Sequence, residues 1–575
     1  MQKNIIRREC PEGLGAALET LHPLLRRVYA MRQVESVAEL DRELDGLLPY
    51  QALMGIDVAV GHLVQAVTEN RRILIVGDFD ADGATSTAVA VRALRSFGAQ
   101  HVNFLVPNRF AYGYGLTPEL VVAAKEYSPE YIVTVDNGIA NHAGVDAAKA
   151  LGIKVIVTDH HLAAATLPNA DAIVNPNQPN DTFPSKNLAG VGVIFYVMLA
   201  LRRQLLSIDW FKRKFIPEPN MGRLLDLVAL GTVADLVQLD RNNRILVHQG
   251  LRRIRAGQCA PGIVALLEVG GREFTRIVAA DLGFAVGARL NAAGRLDDMS
   301  LGIECLLTDD SIHARQIART LDQLNQERRS IEQGMQEQAL NALAKLTEQL
   351  KGDLPKGLCL YDDSWHQGVI GILASRIKDR FHRPVIVFAP GQEGEIKGSA
   401  RSITGFHIRD ALALIDAQYP GLMAKFGGHA MAAGLTMAST SLKQFMKVFN
   451  EVVSSQLTSE QLQHSLFSDG ELMTDDFNLD VATLLRDGGP WGQAFPEPMF
   501  DNTFRILEQR IVGDKHLKLK LDKDGKVIEA IAFFVDTTVW PNHRCEKVHL
   551  AYRLDVNEYK GRKNVQLLVD HLEPA

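Results

Sequence analysis

Between Arg72 and Pro176 the chain alternates short apolar runs with longer amphipathic stretches. The runs starting at Ile73, Val102, Tyr131, Lys154 and Ala172 are β-branched and read as strands, and 84–97, 118–127 and 143–151 read as crossover helices. This rhythm predicts a parallel α/β sheet whose ligands gather at the carboxyl ends of its strands. Residues 190–305 are helix-rich and complete that domain. Apolar positions at Ile317, Leu321, Leu324, Ile331, Met335, Leu343, Leu346 and Leu350 keep helical spacing. They predict one connecting helix within 306–355, broken at Lys351-Gly-Asp-Leu-Pro355.

A second α/β unit is expected over 356–455, with apolar strands at Leu358 and Val385 and a glycine-rich segment, KFGGHAMAAG, from Lys425. From 465 the pattern changes to period two. HLKLKLD, AIAFF, VHLAYRLDV and VQLLVDHL are separated by turn residues and predict antiparallel strands closing a small barrel over 465–575. Residues 1–69 are expected to form an N-terminal helical extension, and 70–305 the parallel-sheet domain.

A chain of 575 residues is too long for a single core, in keeping with this division. It is 46% hydrophobic and 23% charged, ordinary for a folded protein. No apolar run approaches the roughly 20 residues of a bilayer span. Lys3, Arg7 and Arg8 are not followed by an apolar stretch, so neither a secretory signal nor a membrane segment is expected, and residence is expected to be cytoplasmic. Five cysteines without a CxxC pair argue against a disulfide framework or a zinc ribbon. The net charge of −6 would repel nucleic acid as a whole, so such a ligand would need a local basic surface.

Three predicted strands end in acids. ILIVGDFDADG carries Asp78, Asp80 and Asp82; YIVTVDNG carries Asp136; KVIVTDHH carries Asp159, His160 and His161. Isolated aspartates mostly cap helices or fill turns. Adjacent parallel strands would bring these together, and so many close carboxylates need cations to neutralise them. Oxygen donors with an imidazole suit Mg²⁺ or Mn²⁺ better than zinc, and two ions about 4 Å apart can drive phosphodiester hydrolysis. An EF-hand fails because its closing glutamate would fall on Val89, and a P-loop fails because no GxxxxGK[ST] follows the first strand.

GDFDADG, VDNG and DHH, in this order and spacing, resemble the DHH phosphoesterase family, whose fourth motif is matched by GTVADLV with Asp235. The resemblance implies that Asp80 and Asp136 hold one ion and that Asp82, Asp136, His160 and Asp235 hold the other. It further implies that His161 faces the scissile phosphate, with Asp78 and Asp159 in support. Many members place a histidine where this chain has Val76, which implies a weaker first site or Asp78 as a substitute ligand.

HQGVIGILASRI, KGSARS and FGGHAMAAG resemble the DHHA1-like substrate-binding domain of that family. Gly427 and Gly428 would bring backbone amides to a phosphate, and His429 would donate to it. Within the RecJ-type branch, Ser399, Arg401 and Arg109 would hold a terminal 5′ phosphate. The tail is similar to an OB-type barrel, where His516, Lys518, Lys520, Tyr559, Lys560, Arg562 and Lys563 mix aromatic and cationic groups as single strands prefer. The resemblance thus implies a monomeric exonuclease acting on single-stranded DNA from its 5′ end in recombination and repair, beside a helicase and a single-strand-binding protein. A DHH enzyme for short oligonucleotides or cyclic dinucleotides, and a non-catalytic DNA-binding scaffold, are the competing readings.

Overall fold

In the computed structural model, which describes residues 3–575 apart from 12, 14, 15, 109–111, 113, 165, 350–353, 459, 460 and 560, the five apolar runs form one parallel sheet. Its strand order is Val102–Leu105, Ile73–Val76, Tyr131–Val135, Lys154–Thr158, Ala172–Val174. Side chains alternate across each strand. Leu74, Val76, Ile132, Val155 and Val157 therefore pack with Leu116, Leu120 and Val145 on one face. Ile73, Ile75, Val133 and Ile156 join the main core on the other.

The second strand in sequence lies on one side of Ile73–Val76 and the third on the other. A crevice opens at such a switch point, and the three acid-bearing strands share it because they are neighbours. Below it runs the helix Gly190–Ser207, packed by Ile56–Thr68, Ala81–Ser96 and Leu225–Ala234. Its composition alone would suit a membrane span, but two thirds of it is buried inside the protein.

The chain divides into two compact units, residues 8–325 with 469–575 and residues 1–7 with 326–468. The first holds the parallel sheet and a closed barrel of strands Phe500–Val512, His516–Lys523, Lys526–Ala532, Arg562–Pro574 and Lys547–Tyr559, in that order around the ring. All neighbours are antiparallel except Lys526–Ala532 with Arg562–Pro574. Leu517, Leu519 and Leu521 point inward, and the barrel core is continuous with that of the parallel-sheet domain.

The second unit has a sheet ordered Lys425–Gly428, Ala432–Ala438, Glu395–Arg401, Val385–Pro390, Leu358–Tyr361. Helices Ile408–Gln418 and Leu442–Gln456 cover one face, and Ile370–Phe381 covers the other. The connecting helix runs from Ser311 to Gln349. It starts later than 306 because Ser300–Leu307 is a separate helix and Asp310 Oδ1 caps the new one, accepting the Ile312 amide at 2.8 Å.

The N-terminal segment is not wholly helical. Asn4–Arg7 is a strand paired in parallel with Ser465–Ser468, a partner too distant in sequence for local periodicity to reveal. Helix Pro23–Ala30 then docks on the barrel side, where Tyr29 Oη donates to the Gly488 carbonyl at 2.8 Å.

Candidate metal centre

Two of the three acid-bearing loops have carboxylates held by backbone amides, those of Asp80, Asp82 and Asp159. Asp80 caps helix Ala81–Ser96, its Oδ1 accepting the amides of Asp82 at 2.9 Å and Gly83 at 3.0 Å. Asp82 is buried and faces the start of helix Gly190–Ser207. Its Oδ2 accepts the Gly190 amide at 2.6 Å and its Oδ1 the Val191 amide at 2.9 Å. The positive end of a helix dipole thus supports a carboxylate that burial penalises. Close approach requires glycine, since a Cβ at Gly190 would lie 2.6 Å from Asp136 Oδ1 and one at Gly231 would lie 2.8 Å from Asp82 Oδ1.

Asp136 sits just past its strand with φ +62, a left-handed conformation that aspartate tolerates better than most residues. Its Oδ1 is buried and accepts no hydrogen bond. His160 Nε2 lies 3.2 Å from that oxygen, 3.4 Å from Asp235 Oδ2 and 4.0 Å from Asp82 Oδ2, and it too is buried without a hydrogen-bond partner. Asp235 follows the end of helix Leu225–Ala234 directly. Leaving such polar atoms unmatched inside a protein is costly.

Electrostatics mark the same cluster. Burial and then Asp235 raise the Asp82 carboxyl to about 7, and burial and then Asp80 raise Asp235 to about 8. Asp136 is pushed well above the usual carboxylate range by burial and by Asp82, Asp80, Asp235 and Asp78. Burial and the neighbouring His161 hold the His160 imidazole below its ordinary value. A neutral imidazole nitrogen aimed at three crowded carboxylates is what a divalent cation would satisfy.

Ligand atoms of Asp78, Asp80 and Asp136 lie within 4.8 Å of one another, as do those of Asp82, His160 and Asp235 and those of Asp136, His160 and His161. Val76 is fully buried among Leu74, Leu116 and Leu120, so its side chain belongs to the sheet's apolar face, while Asp78 joins Asp80 and Asp136. Asp159 Oδ1 accepts from the His160 amide at 2.7 Å and meets His161 Nδ1 at 2.7 Å, and its Oδ2 accepts the Ile139 amide at 2.9 Å.

Three supports were not foreseen. Tyr114 Oη donates to the Asp136 carbonyl at 3.3 Å and its ring meets His161 edge-on. The Nδ2 groups of Asn175 and Asn177 donate to the carbonyls of His161 and His160 at 2.9 and 2.6 Å. Asn291 Oδ1 accepts the Ala81 amide at 2.8 Å. The Asn-Pro-Asn run after the last strand was a visible signal for the asparagines; Tyr114 had none.

A single-stranded-DNA-specific exonuclease RecJ from Dickeya dadantii is 57% identical over 97% of this chain and 97% of its own length. The chain belongs to the RecJ family. Family models match in three places: the DHH family N-terminal domain at 72–232, the DHHA1 domain at 354–455 and the RecJ OB domain at 468–571. The crystal structure of RecJ in complex with Mn²⁺ from Thermus thermophilus is similar with a TM-score of 0.80 at 29% identity, covering 99% of this chain and 79% of that one. The corresponding Mg²⁺ complex gives 0.74 at 27% identity, with 99% and 78% covered.

In the DHHA1 region, Gly427, Gly434 and Ser399 stand in register across three strands. Arg401 Nη1 donates to Ser399 Oγ at 3.2 Å, and both approach Gly371 near the start of helix Ile370–Phe381. Gly428 has φ +143, and a Cβ there would lie 2.4 Å from the Ala432 carbonyl oxygen. The His429 amide donates to that oxygen at 2.7 Å. Arg109 lies outside the described residues.

In the RecJ OB region, Lys518 and Lys520 point outward but are already matched, by Glu529 at 3.0 Å and Glu508 at 2.9 Å. Tyr559 ends its strand, Arg562 is exposed at the start of the next, and Lys560 lies outside the described residues. Lys563 lies 3.7 Å from Glu558, which also pairs with Arg276 at 2.7 Å.

Proposed function

We propose that this chain is a metal-dependent exonuclease that hydrolyses single-stranded DNA: its RecJ relatives are named single-stranded-DNA-specific exonucleases, and the similar Thermus thermophilus RecJ is in complex with Mn²⁺. The observation that carries the chemistry is the unmatched buried contact between His160 Nε2 and Asp136 Oδ1, among carboxyls that burial and mutual repulsion disfavour as anions without a cation. Mg²⁺ or Mn²⁺ bound there would activate water and neutralise charge developing on the phosphodiester oxygens.

The finer reading assigns two ions. Asp78, Asp80 and Asp136 would hold one and Asp82, Asp136, His160 and Asp235 the other, with Asp136 shared. Asp159 orients His161 through Nδ1, Tyr114 Oη lies 3.4 Å from its Nε2, and the side chain is partly exposed, which suits a role facing a substrate phosphate oxygen. Ser399, Arg401, Gly427, Gly428 and His429 supply a hydroxyl, a guanidinium and backbone amides suited to a terminal 5′ phosphate, which supports attack from the 5′ end. A helicase and a single-strand-binding protein as partners, and residence in the cytoplasm, belong to the same proposal.

The test is degradation of end-labelled single-stranded DNA, duplex DNA and RNA, with 5′ phosphate or 5′ hydroxyl, in Mg²⁺, Mn²⁺ or chelator. We expect metal-dependent loss of single-stranded DNA beginning at the 5′ label. Release from the 3′ end first, or equal activity on duplex, would reverse the assignment.

A further inference from the structure

Lys518 and Lys520 each sit beside a glutamate, and a less neutralised feature of the barrel lies elsewhere on it. Phe533 and Phe534 directly follow the strand Lys526–Ala532 and are 52% and 77% exposed. They are not loose. His516 Nδ1 accepts the Phe534 amide at 3.1 Å, and its ring meets both phenyl rings edge-on, with centroids 5.1 and 4.9 Å away and interplanar angles of 73° and 87°.

Phe534 has φ +55, a conformation that costs a bulky residue free energy. A strained turn and a hydrogen bond are thus spent on presenting an apolar ring to water, which folding alone does not favour. The Val535 amide donates to the Lys515 carbonyl at 2.9 Å, setting Lys515 beside the rings. Lys515 is exposed and makes no ion pair among the described residues.

We propose that Phe533 and Phe534, held by His516, form a stacking platform for unpaired bases, with Lys515 contacting a flanking phosphate. This rests on the reading of the chain as acting on single-stranded DNA. Aromatic faces accept every base, so the platform would be sequence-tolerant, as an exonuclease requires. A cation beside it that makes no ion pair among the described residues, Lys515, favours a polyanion over a protein partner.

The test uses the full chain, fluorescent oligothymidylate and chelator to prevent cleavage. Replacing both rings (F533A/F534A) should raise Kd at least about 5-fold, the low end for one lost base stack, with an unchanged salt slope and unchanged duplex affinity. H516A, which frees the turn but keeps the rings, should show part of that loss, and F534W should retain affinity and be quenched on binding. K515A should instead flatten the salt dependence.

If the wild type binds and degrades single-stranded DNA but F533A/F534A binds equally well, or loses duplex affinity equally, the platform is refuted while the proposed function stands. Loss of a protein partner alone would also refute it, assigning the rings to a protein interface. A wild type that neither binds nor degrades single strands would overturn both.

Discussion

Asp159 Oδ1 and His161 Nδ1 are 2.7 Å apart, and the pair moves both groups in opposite directions. Burial alone would lower the imidazole, but the hydrogen bond and charge of Asp159 raise it to about 9. Burial would raise Asp159, but His161, His160 and the Ile139 amide hold it below its usual value. His161 is therefore a cation at neutral pH and loses its charge only as pH rises through about 9. Asp159→Asn should bring the alkaline limb of kcat/KM down by about one to three pH units, the usual effect of removing an adjacent opposite charge. A pH–rate profile with an unmoved limb would show that His161 is not the titrating group.

The raised carboxyls make a second prediction. Asp82 near 7 and Asp235 near 8 lie above their unfolded values, so their contribution to stability is fully present below about pH 4 and is lost as pH rises through 7 to 8. The gain in melting temperature on adding Mn²⁺ to metal-free protein should accordingly be larger at about pH 8 than at about pH 6. Titration in buffers of different ionisation enthalpy should register proton release at about pH 6.5. A gain independent of pH would mean that these carboxyls do not hold the ion.

Asp136→Asn removes the most crowded carboxylate of the centre. Turnover should fall at least about 100-fold in either metal, while the melting temperature of the metal-free protein should rise chiefly at alkaline pH, where the Asp136 carboxyl would otherwise ionise among its acidic neighbours. Retained activity would rule out a shared ligand at 136.

Val76→His, attractive from sequence as a restored ligand, should not strengthen metal binding. The imidazole would enter the apolar cluster of Leu74, Leu116 and Leu120 and cost about 1 to 3 kcal/mol of stability. Asp78→Asn should instead raise the metal concentration needed for half-maximal activity. Metal titrations of both variants distinguish the two assignments.

The barrel cannot be cut away cleanly. Arg32 donates two hydrogen bonds of 3.0 Å to Asp469, and both side chains are 1% exposed. Arg32→Ala would leave Asp469 buried with its main partner gone, costing about 3 to 5 kcal/mol. A truncation before Phe467 should therefore unfold at markedly lower temperature in calorimetry, rather than retain full turnover with weakened DNA affinity as a separable binding domain would.

Sequence revealed what local pattern and strand adjacency encode. GDFDADG, VDNG and DHH end three runs of the same sheet, so their meeting followed from topology once the strands were recognised. What stayed hidden depended on register. Glu508 and Glu529 face Lys520 and Lys518 from adjacent barrel strands, and no spacing within HLKLKLD announces them. AIAFF looked like one strand, yet it ends at Ala532, so its two phenylalanines turn outward. Val76 looked like a missing ligand because a motif records position along the chain and not the face of the strand.

Asp80 and Asp82 receive their orientation from the amides of Asp82, Gly83, Gly190 and Val191 and so do not depend on an ion to be positioned. The centre can consequently be emptied and refilled without being rebuilt.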